Sequence, residues 1–149
     1  MKAPVQLAGY RLKKLHFEII KDFEIYDIEK ALFSIDVDYE IYSNNEDPNQ
    51  YKVDLFLEII PSVEEEMHLP YKIEMVLEGV FFFEGEEELE DEEKAYHLNI
   101  SSPTMLYGAA RSTIHQLTGE TSYGAISIPA IQFSKIAEEK QKSTQEQAD

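Results

Sequence analysis

The four histidines are the first residues to test for chemistry, because imidazole titrates near neutral pH and is the commonest metal ligand. They are His16, His68, His97 and His115. None of their spacings matches a metal-binding motif, and the sequence contains neither HExxH nor a Walker loop. Cysteine is absent, so the chain can form neither a disulfide nor a thiolate metal site. We therefore expect no metal and no cofactor.

Acidic residues dominate the charge, with 30 acids against 13 bases and a net charge of −17. Paired carboxylates can act as general acid and base when burial shifts their acidities. Here nearly all of them fall at outward positions of predicted strands or in the stretch 84–94, where water solvates them. The pattern indicates no enzyme. It also argues against nucleic acid as a partner, since phosphate binding needs a basic surface. Solubility and attraction of basic partners both remain as roles for the acidity.

One basic residue stands in a more specific setting. Arg111 lies four residues after Tyr107 and four before His115, so the three share one stripe of a helix. A guanidinium beside an imidazole could bind an anion. Alternatively, Arg111 pairs with an acid or caps a backbone carbonyl.

The chain shows no sign of membrane insertion. No apolar run approaches the roughly 18–20 residues of a membrane helix. Residues 1–10 lack the apolar stretch of a signal peptide. We expect a cytoplasmic protein.

Period-two alternation of apolar and polar residues predicts four strands, over residues 14–19, 33–41, 51–59 and 71–83. Such alternation gives each strand one buried and one wet face, which is typical of an antiparallel sheet. The short polar connections at 43–49 and 61–70 leave no room for crossover helices. The prediction is an α+β fold, in which a four-stranded antiparallel meander precedes two helices.

A long helix should follow the acidic stretch, which we interpret as a solvated linker. Ser102 is the expected N-cap, Pro103 the first helical residue and Gly119 the C-cap. The apolar set of this helix is wider than one amphipathic stripe, so a second partner should cover it, such as another subunit. The expected oligomer contacts are Leu106, Ala110, Ile114 and Leu117.

The C-terminal part is predicted to contain an ordered loop over 123–131 and a short helix beginning near Phe133. We place a single domain at 1–137. Residues 138–149 form a polar tail that should fray.

Aromatic residues occur where the pattern would allow polar ones. Phe23, Tyr26 and Tyr123 fall in connections, whereas Phe56 and Phe82 fall on the strand face that should be wet. Phe56 and Phe82 either belong to an exposed apolar groove or lie buried beneath the connection that follows the first strand.

The helix and the loop after it resemble the SecB export chaperones. In that family a helix with an aromatic-x-x-Ala-Arg pattern precedes a glycine, and a loop ending in a proline and an aromatic residue leads into the last helix. The matching residues are Leu106–Arg111, Gly119 and Tyr123–Phe133, and Glu78–Phe81 fits the fourth strand.

This resemblance implies an ATP-independent holdase that keeps unfolded preproteins competent for export and assembles as a tetramer, a dimer of dimers. It implies a client groove containing Phe23, Tyr26 and Tyr123, with Phe56 and Phe82 as its floor. It also implies contact with the translocation motor SecA through acids on the outer sheet face, at Glu18 and Glu74.

Two lysines depart from the family pattern. Lys14 stands where an acid is usual and Lys72 where an apolar residue is usual, which puts SecA delivery in question. A SecB-like chaperone of a toxin–antitoxin system and a small-ligand binding protein that uses the aromatic groove therefore remain as alternatives.

Overall fold

A computed structural model describes residues 4–19, 33–61, 71–84, 89–121 and 124–148, without the side chains of 61 and 143–148. Four strands form one antiparallel sheet in the order β1-β4-β3-β2. Their bounds are Val5–Ile19 (β1), Phe33–Ser43 (β2), Gln50–Pro61 (β3) and Tyr71–Phe83 (β4). The predicted α+β class and the four-stranded antiparallel sheet are confirmed.

The predicted meander holds for β2, β3 and β4, which pair in sequence order. β1 instead pairs with β4 at the opposite edge from β2. Alternation shows that a strand has a buried face, but it carries no information about which strand lies beside it.

β1 is nine residues longer at its start than the alternation suggested, since it begins at Val5. Its pairing with β4 shifts register between Leu7 and Gly9 and again between Leu12 and Lys14. Each shift inserts one extra residue, which moves the side chains that follow to the opposite face. The period-two pattern is therefore broken at two places, and only its last part was recognisable.

The helices are α1 (Asp91–Tyr96), α2 (Ser102–Gly119) and α3 (Phe133–Ala148), with a π-helical turn at His97–Ser101 joining the first two. The end of the expected linker is thus helical. Three acids occupy the first turn of α1. Negative charge is favourable there because the backbone N–H groups at a helix N-terminus carry partial positive charge.

The prediction that Ser102 is an N-cap is wrong. Ser101 and Ser102 both have helical backbone angles, and the Ser102 hydroxyl donates to the His97 carbonyl oxygen at 3.2 Å. Pro103 is the second residue of α2, which begins where the π turn ends. Proline has no N–H for the regular ladder and is tolerated in the first turn of a helix. At the other end, α2 stops at Gly119 with Glu120 as its C-cap.

The core lies between one face of the sheet and α2. Leu106, Ala110 and Ile114 are at most 1% exposed within the single chain. Phe133 begins α3 as expected, and its ring lies 5.8 Å from that of Tyr107. α3 continues to Ala148, through the polar stretch in which we expected fraying.

Candidate peptide-binding surface

The face of the sheet opposite α2, here called the outer face, carries an apolar spot surrounded by acids. Phe56 on β3 lies directly opposite Val76 on β4. These two side chains line an open cavity of about 220 Å³. Its acidic lining residues come from β2, β3 and β4: Asp36, Asp38, Glu58 and Glu74. An apolar floor with acidic walls suits an apolar side chain flanked by basic residues.

Next to this spot, a band of charges crosses the sheet. Asp54 and Glu78 lie directly opposite each other, and both are buried. Arg11 Nε donates to Glu78 Oε1 at 2.9 Å, and Lys13 Nζ donates to Asp54 Oδ2 at 3.3 Å. Lys52 Nζ lies 3.8 Å from Glu78 Oε2. Like charges that lie directly opposite each other destabilise a sheet. The positive charges of Arg11, Lys13 and Lys52 offset this repulsion between the two buried carboxylates.

The charge band sets the acidity of one carboxyl group. Burial alone would raise the pKa of Glu78, but the hydrogen bond from Arg11 and the positive charges of Arg11, Lys52 and Lys13 outweigh it and leave that pKa lowered. Asp54 keeps one buried oxygen, Oδ1, without a hydrogen-bond partner among the described residues.

A second apolar spot lies beyond the band, at the end of β4. Val80 and Phe82 share the outer face with Phe56, but Phe82 is six residues from Val76, roughly 20 Å along the strand. Open cavities of about 520 and 430 Å³ lie on either side of Val80. Phe56 and Phe82 are both half-buried. They share a face as expected, but the charge band separates them, so they do not form one continuous floor.

The predicted groove residues Phe23, Tyr26 and Tyr123 lie outside the described residues. The nearest described part of that region is the segment 124–132, here called the connecting segment, which leads from α2 towards α3. Tyr107, Arg111 and His115 all donate to its backbone carbonyls. The acceptors are the carbonyl oxygens of Pro129 at 2.5 Å, Ile128 at 3.0 Å and Ile126 at 3.2 Å. The interpretation of Arg111 as a carbonyl cap is confirmed.

The sequence matches the family model described as SecB, preprotein translocase subunit, over residues 2–144. The chain belongs to the SecB family. Members of this family are chaperones. A comparison with curated proteins found no significant match. Among the described residues, no helix is long and apolar enough to cross a membrane.

A solved structure shows the same fold. The Mycobacterium tuberculosis SecB-like chaperone Rv1957, in complex with a ChAD peptide from the HigA1 antitoxin, superposes with a TM-score of 0.63 at 11% sequence identity, over 86% of this chain and 88% of that chain. A Streptococcus agalactiae protein of unknown function gives a TM-score of 0.46 at 12% identity, over 84% and 96% of the two chains.

The acids expected to contact SecA lie on the outer face of this SecB family protein, near the end of β1. Glu18 is opposite Lys72, and Glu74 is opposite His16. Each acid has a basic neighbour: Lys14 Nζ donates to Glu74 Oε1 at 2.6 Å, and the His16 ring nitrogen Nε2 lies 3.1 Å from Glu18 Oε2. The hydrogen bond from Lys14, together with its charge, lowers the pKa of Glu74. Part of the negative charge expected at this site is therefore already neutralised.

Three of the four expected oligomer contacts are not on the surface of the subunit. Leu106, Ala110 and Ile114 are buried inside the SecB fold itself, so their side chains are not available to a partner, and only Leu117 is partly exposed. The wide apolar face of α2 is covered by its own sheet and by the connecting segment.

Large exposed apolar side chains occur instead on β1. The sequence analysis did not identify them as a surface that a partner could contact. They are Tyr10, Leu12, Leu15 and Ile19, exposed by 38 to 52%. Their register partners on β4 include Leu77 and Met75, which are in the core, so the four project to the same face as α2. Leu15 and Ile19 were visible in the alternation, but nothing in the sequence indicates that α2 leaves this edge uncovered.

Proposed function

We propose that this SecB family protein is an ATP-independent holdase that binds unfolded polypeptides on the outer face of its sheet. The observation that carries the proposal is the pair Phe56 and Val76, which lines an open cavity between four acids. Family membership supports the chaperone class, and the geometry of this cavity supports its place on the molecule.

The chemistry of the surface suits many different clients. An aromatic ring offers a large apolar area while it fixes few torsions, so it binds unrelated apolar side chains with similar affinity. The surrounding carboxylates favour segments in which lysine or arginine flanks the apolar residue, and they accelerate encounter with such segments. The proposed cycle uses no nucleotide, so binding and release would follow the affinity for the client.

An oligomer would extend this surface and cover the exposed side of β1. We propose a tetramer, a dimer of dimers, whose contacts include Leu12 and Leu15 rather than the buried residues of α2. Support comes from the position of these exposed leucines on β1, an edge strand of the described sheet, because an edge strand can pair with a strand of a second copy.

The proposal has two forms, which differ in where the bound polypeptide is delivered. Export from the cytoplasm through SecA is supported by the family description and by Glu18 and Glu74 on one face. Service to an antitoxin is supported by the complex of the M. tuberculosis structural neighbour and by Lys14, which pairs with Glu74. The polypeptides that co-purify from the protein's own cells, preproteins in one case and an antitoxin in the other, separate the two.

The experiment that tests holding is substitution of the cavity floor. Phe56→Ala should weaken binding of an unfolded client by about 1–2 kcal/mol, the usual scale for a contacted interface residue. Its melting temperature should change little, because the ring is only half-buried. The measurements are aggregation of the client without nucleotide, client affinity by fluorescence anisotropy, and thermal melting.

Two control variants make this test specific. Tyr96→Ala removes an exposed aromatic ring, 56% accessible, from α1 and should leave client affinity unchanged. Phe81→Ala removes a fully buried ring and should cost about 3–5 kcal/mol of stability. Normal holding by Phe56→Ala would place the client site elsewhere. Holding that is insensitive to salt would remove the role given to the acids.

A further inference from the structure

A polar pocket lies between the exposed side of α2 and the connecting segment. It is an open cavity of about 320 Å³, and its position on the exposed side of α2 separates it from the cavities of the outer sheet face. Its lining residues are Gly108, Arg111, Ser112, His115, Ser127 and Ile128.

Arg111 has an unusual electrostatic setting for so acidic a chain. The sequence has two arginines and 30 acids, and the other arginine, Arg11, pairs with Glu78. Arg111 forms no ion pair with any carboxylate of the described residues; its contacts are the Ile128 carbonyl oxygen and the ring of Tyr107. A guanidinium has five N–H donors, and only Nε–H is used here. The donors on both terminal nitrogens therefore remain for a ligand.

The other polar groups of the pocket are donors or can become donors. The Ser112 and Ser127 hydroxyls have no hydrogen-bond partner among the described residues. His115 Nδ1 must carry its proton, because the Ile126 carbonyl oxygen beside it can only accept. Nε2 then has a lone pair in neutral imidazole and becomes a donor when the ring is protonated.

Gly108 keeps the pocket open. A Cβ built at this residue would meet no atom within 4 Å, so the space above the helix backbone is empty. A small ligand can therefore approach the guanidinium from this side without displacing a side chain.

We propose that this pocket binds an oxyanion, a phosphate or a carboxylate, with Arg111 as its charged anchor and the two serine hydroxyls as neutral donors. Charge-assisted bonds from a planar guanidinium suit an anion with two or more oxygens. The anion is either a free ion or an acidic side chain of a bound polypeptide.

The test is a titration of the full chain, followed by amide and imidazole NMR shifts. One arm adds inorganic phosphate; the other adds a short end-capped peptide containing glutamate, compared with its glutamine counterpart. Saturable shifts at Gly108, Arg111 and His115 support the site, and the arm that produces them identifies the source. An absence of saturable shifts in both arms overturns the proposal.

A matched pair of variants shows whether Arg111 is the anchor without removing it from its structural contact. Gly108→Glu places a carboxylate three residues before Arg111, where it can pair along the helix and occupy the pocket. It should weaken anion affinity by about tenfold, since a tethered competitor acts at high effective concentration. Gly108→Gln has nearly the same shape without charge, so it controls for the lost space and should bind the anion more tightly than Gly108→Glu. Equal affinities of the two variants would contradict the assignment.

Discussion

At position 79 of β4, the lack of a side chain determines how closely α2 approaches the sheet. A Cβ built on Gly79 would lie 2.7 Å from Leu106 Cδ2 and 2.9 Å from the Phe81 ring. Leu106 is fully buried, so it has little freedom to move away. The glycine is thus explained by packing rather than by an unusual backbone angle.

Gly79→Ala should destabilise the fold by about 1–3 kcal/mol, the usual cost of overpacking a core. Gly9→Ala is the control, since a Cβ there meets nothing within 4 Å. It should be neutral or stabilise the strand by up to about 1 kcal/mol, because alanine loses less backbone entropy on folding. Urea unfolding measures both variants, and equal midpoints would refute the close approach of Leu106.

The ion pairs of Glu78 should make stability depend on acid pH. Its folded pKa lies below the ordinary value of 4.5 because Arg11, Lys52 and Lys13 outweigh the effect of burial. A lowered folded pKa contributes stability above the ordinary pKa, and this contribution is lost as pH falls through the folded value. Glu78→Gln should therefore reduce the loss of stability between pH 7 and pH values below 4.5.

Glu58→Gln is a matched control on the same face, since Glu58 has no ion pair among the described residues. Its urea midpoints should fall with pH at least as steeply as those of the parent, because Glu58 lies opposite Glu74 and its neutralisation relieves repulsion at neutral pH. A parent-like slope for Glu78→Gln would mean that other carboxylates govern acid unfolding.

Among the elements, α3 protects the free edge of β2. Lys140 Nζ donates to the Tyr39 carbonyl oxygen on this edge, lies 2.9 Å from Asp38 Oδ1, and sits 4.4 Å from the centre of the Tyr39 ring. Burial, followed by the charge of Asp38, raises the pKa of the Tyr39 phenol to about 12, and its hydroxyl donates to Asn99 Oδ1 at 2.9 Å. A lysine at an edge also discourages pairing with another strand.

Lys140→Ala should loosen α3 from β2 while the rest of the fold stays intact. We expect faster amide hydrogen exchange in α3 and along the β2 edge, because local opening costs less free energy when few contacts hold an element. Lys142→Ala, an exposed lysine on the same helix, is the control. Identical exchange in the two variants would show that Lys140 does not anchor α3 and that its apolar contacts, Phe133 and Ile136, suffice.

For the whole molecule, the interface proposed on the exposed face of β1 makes a prediction about the oligomeric state. Leu12→Asp combined with Leu15→Asp should dissociate an oligomer and leave the subunit folded, since both side chains are exposed in the single chain. Ala110→Asp should instead unfold the subunit, because an unpaired charge would be buried in the core. Light scattering and circular dichroism separate these results. A folded parent that is monomeric at micromolar concentration would refute the interface.

The sequence by itself determined the features that depend on neighbouring residues. Alternation in β2, β3 and β4 predicted three of the strands within about two residues at most ends, and the helical spacing of Leu106, Ala110 and Ile114 predicted α2. The segment Leu106–Phe133 carried the most specific part of the family resemblance. These signals survive because side-chain direction repeats every two residues in a strand and about every 3.6 in a helix, whatever lies nearby.

Tertiary structure alone decided which elements meet. The two bulges in β1 hid its first half, and its position beside β4 gives no local signal. The opposed pair Asp54 and Glu78 is separated by 24 residues, and its burial depends on cations from β1 and β3. The apolar residues Leu106, Ala110 and Ile114 of α2 were predicted to contact another subunit, but they are buried within the same subunit. In each case the deciding interaction joins residues that are distant in sequence, so local periodicity cannot report it.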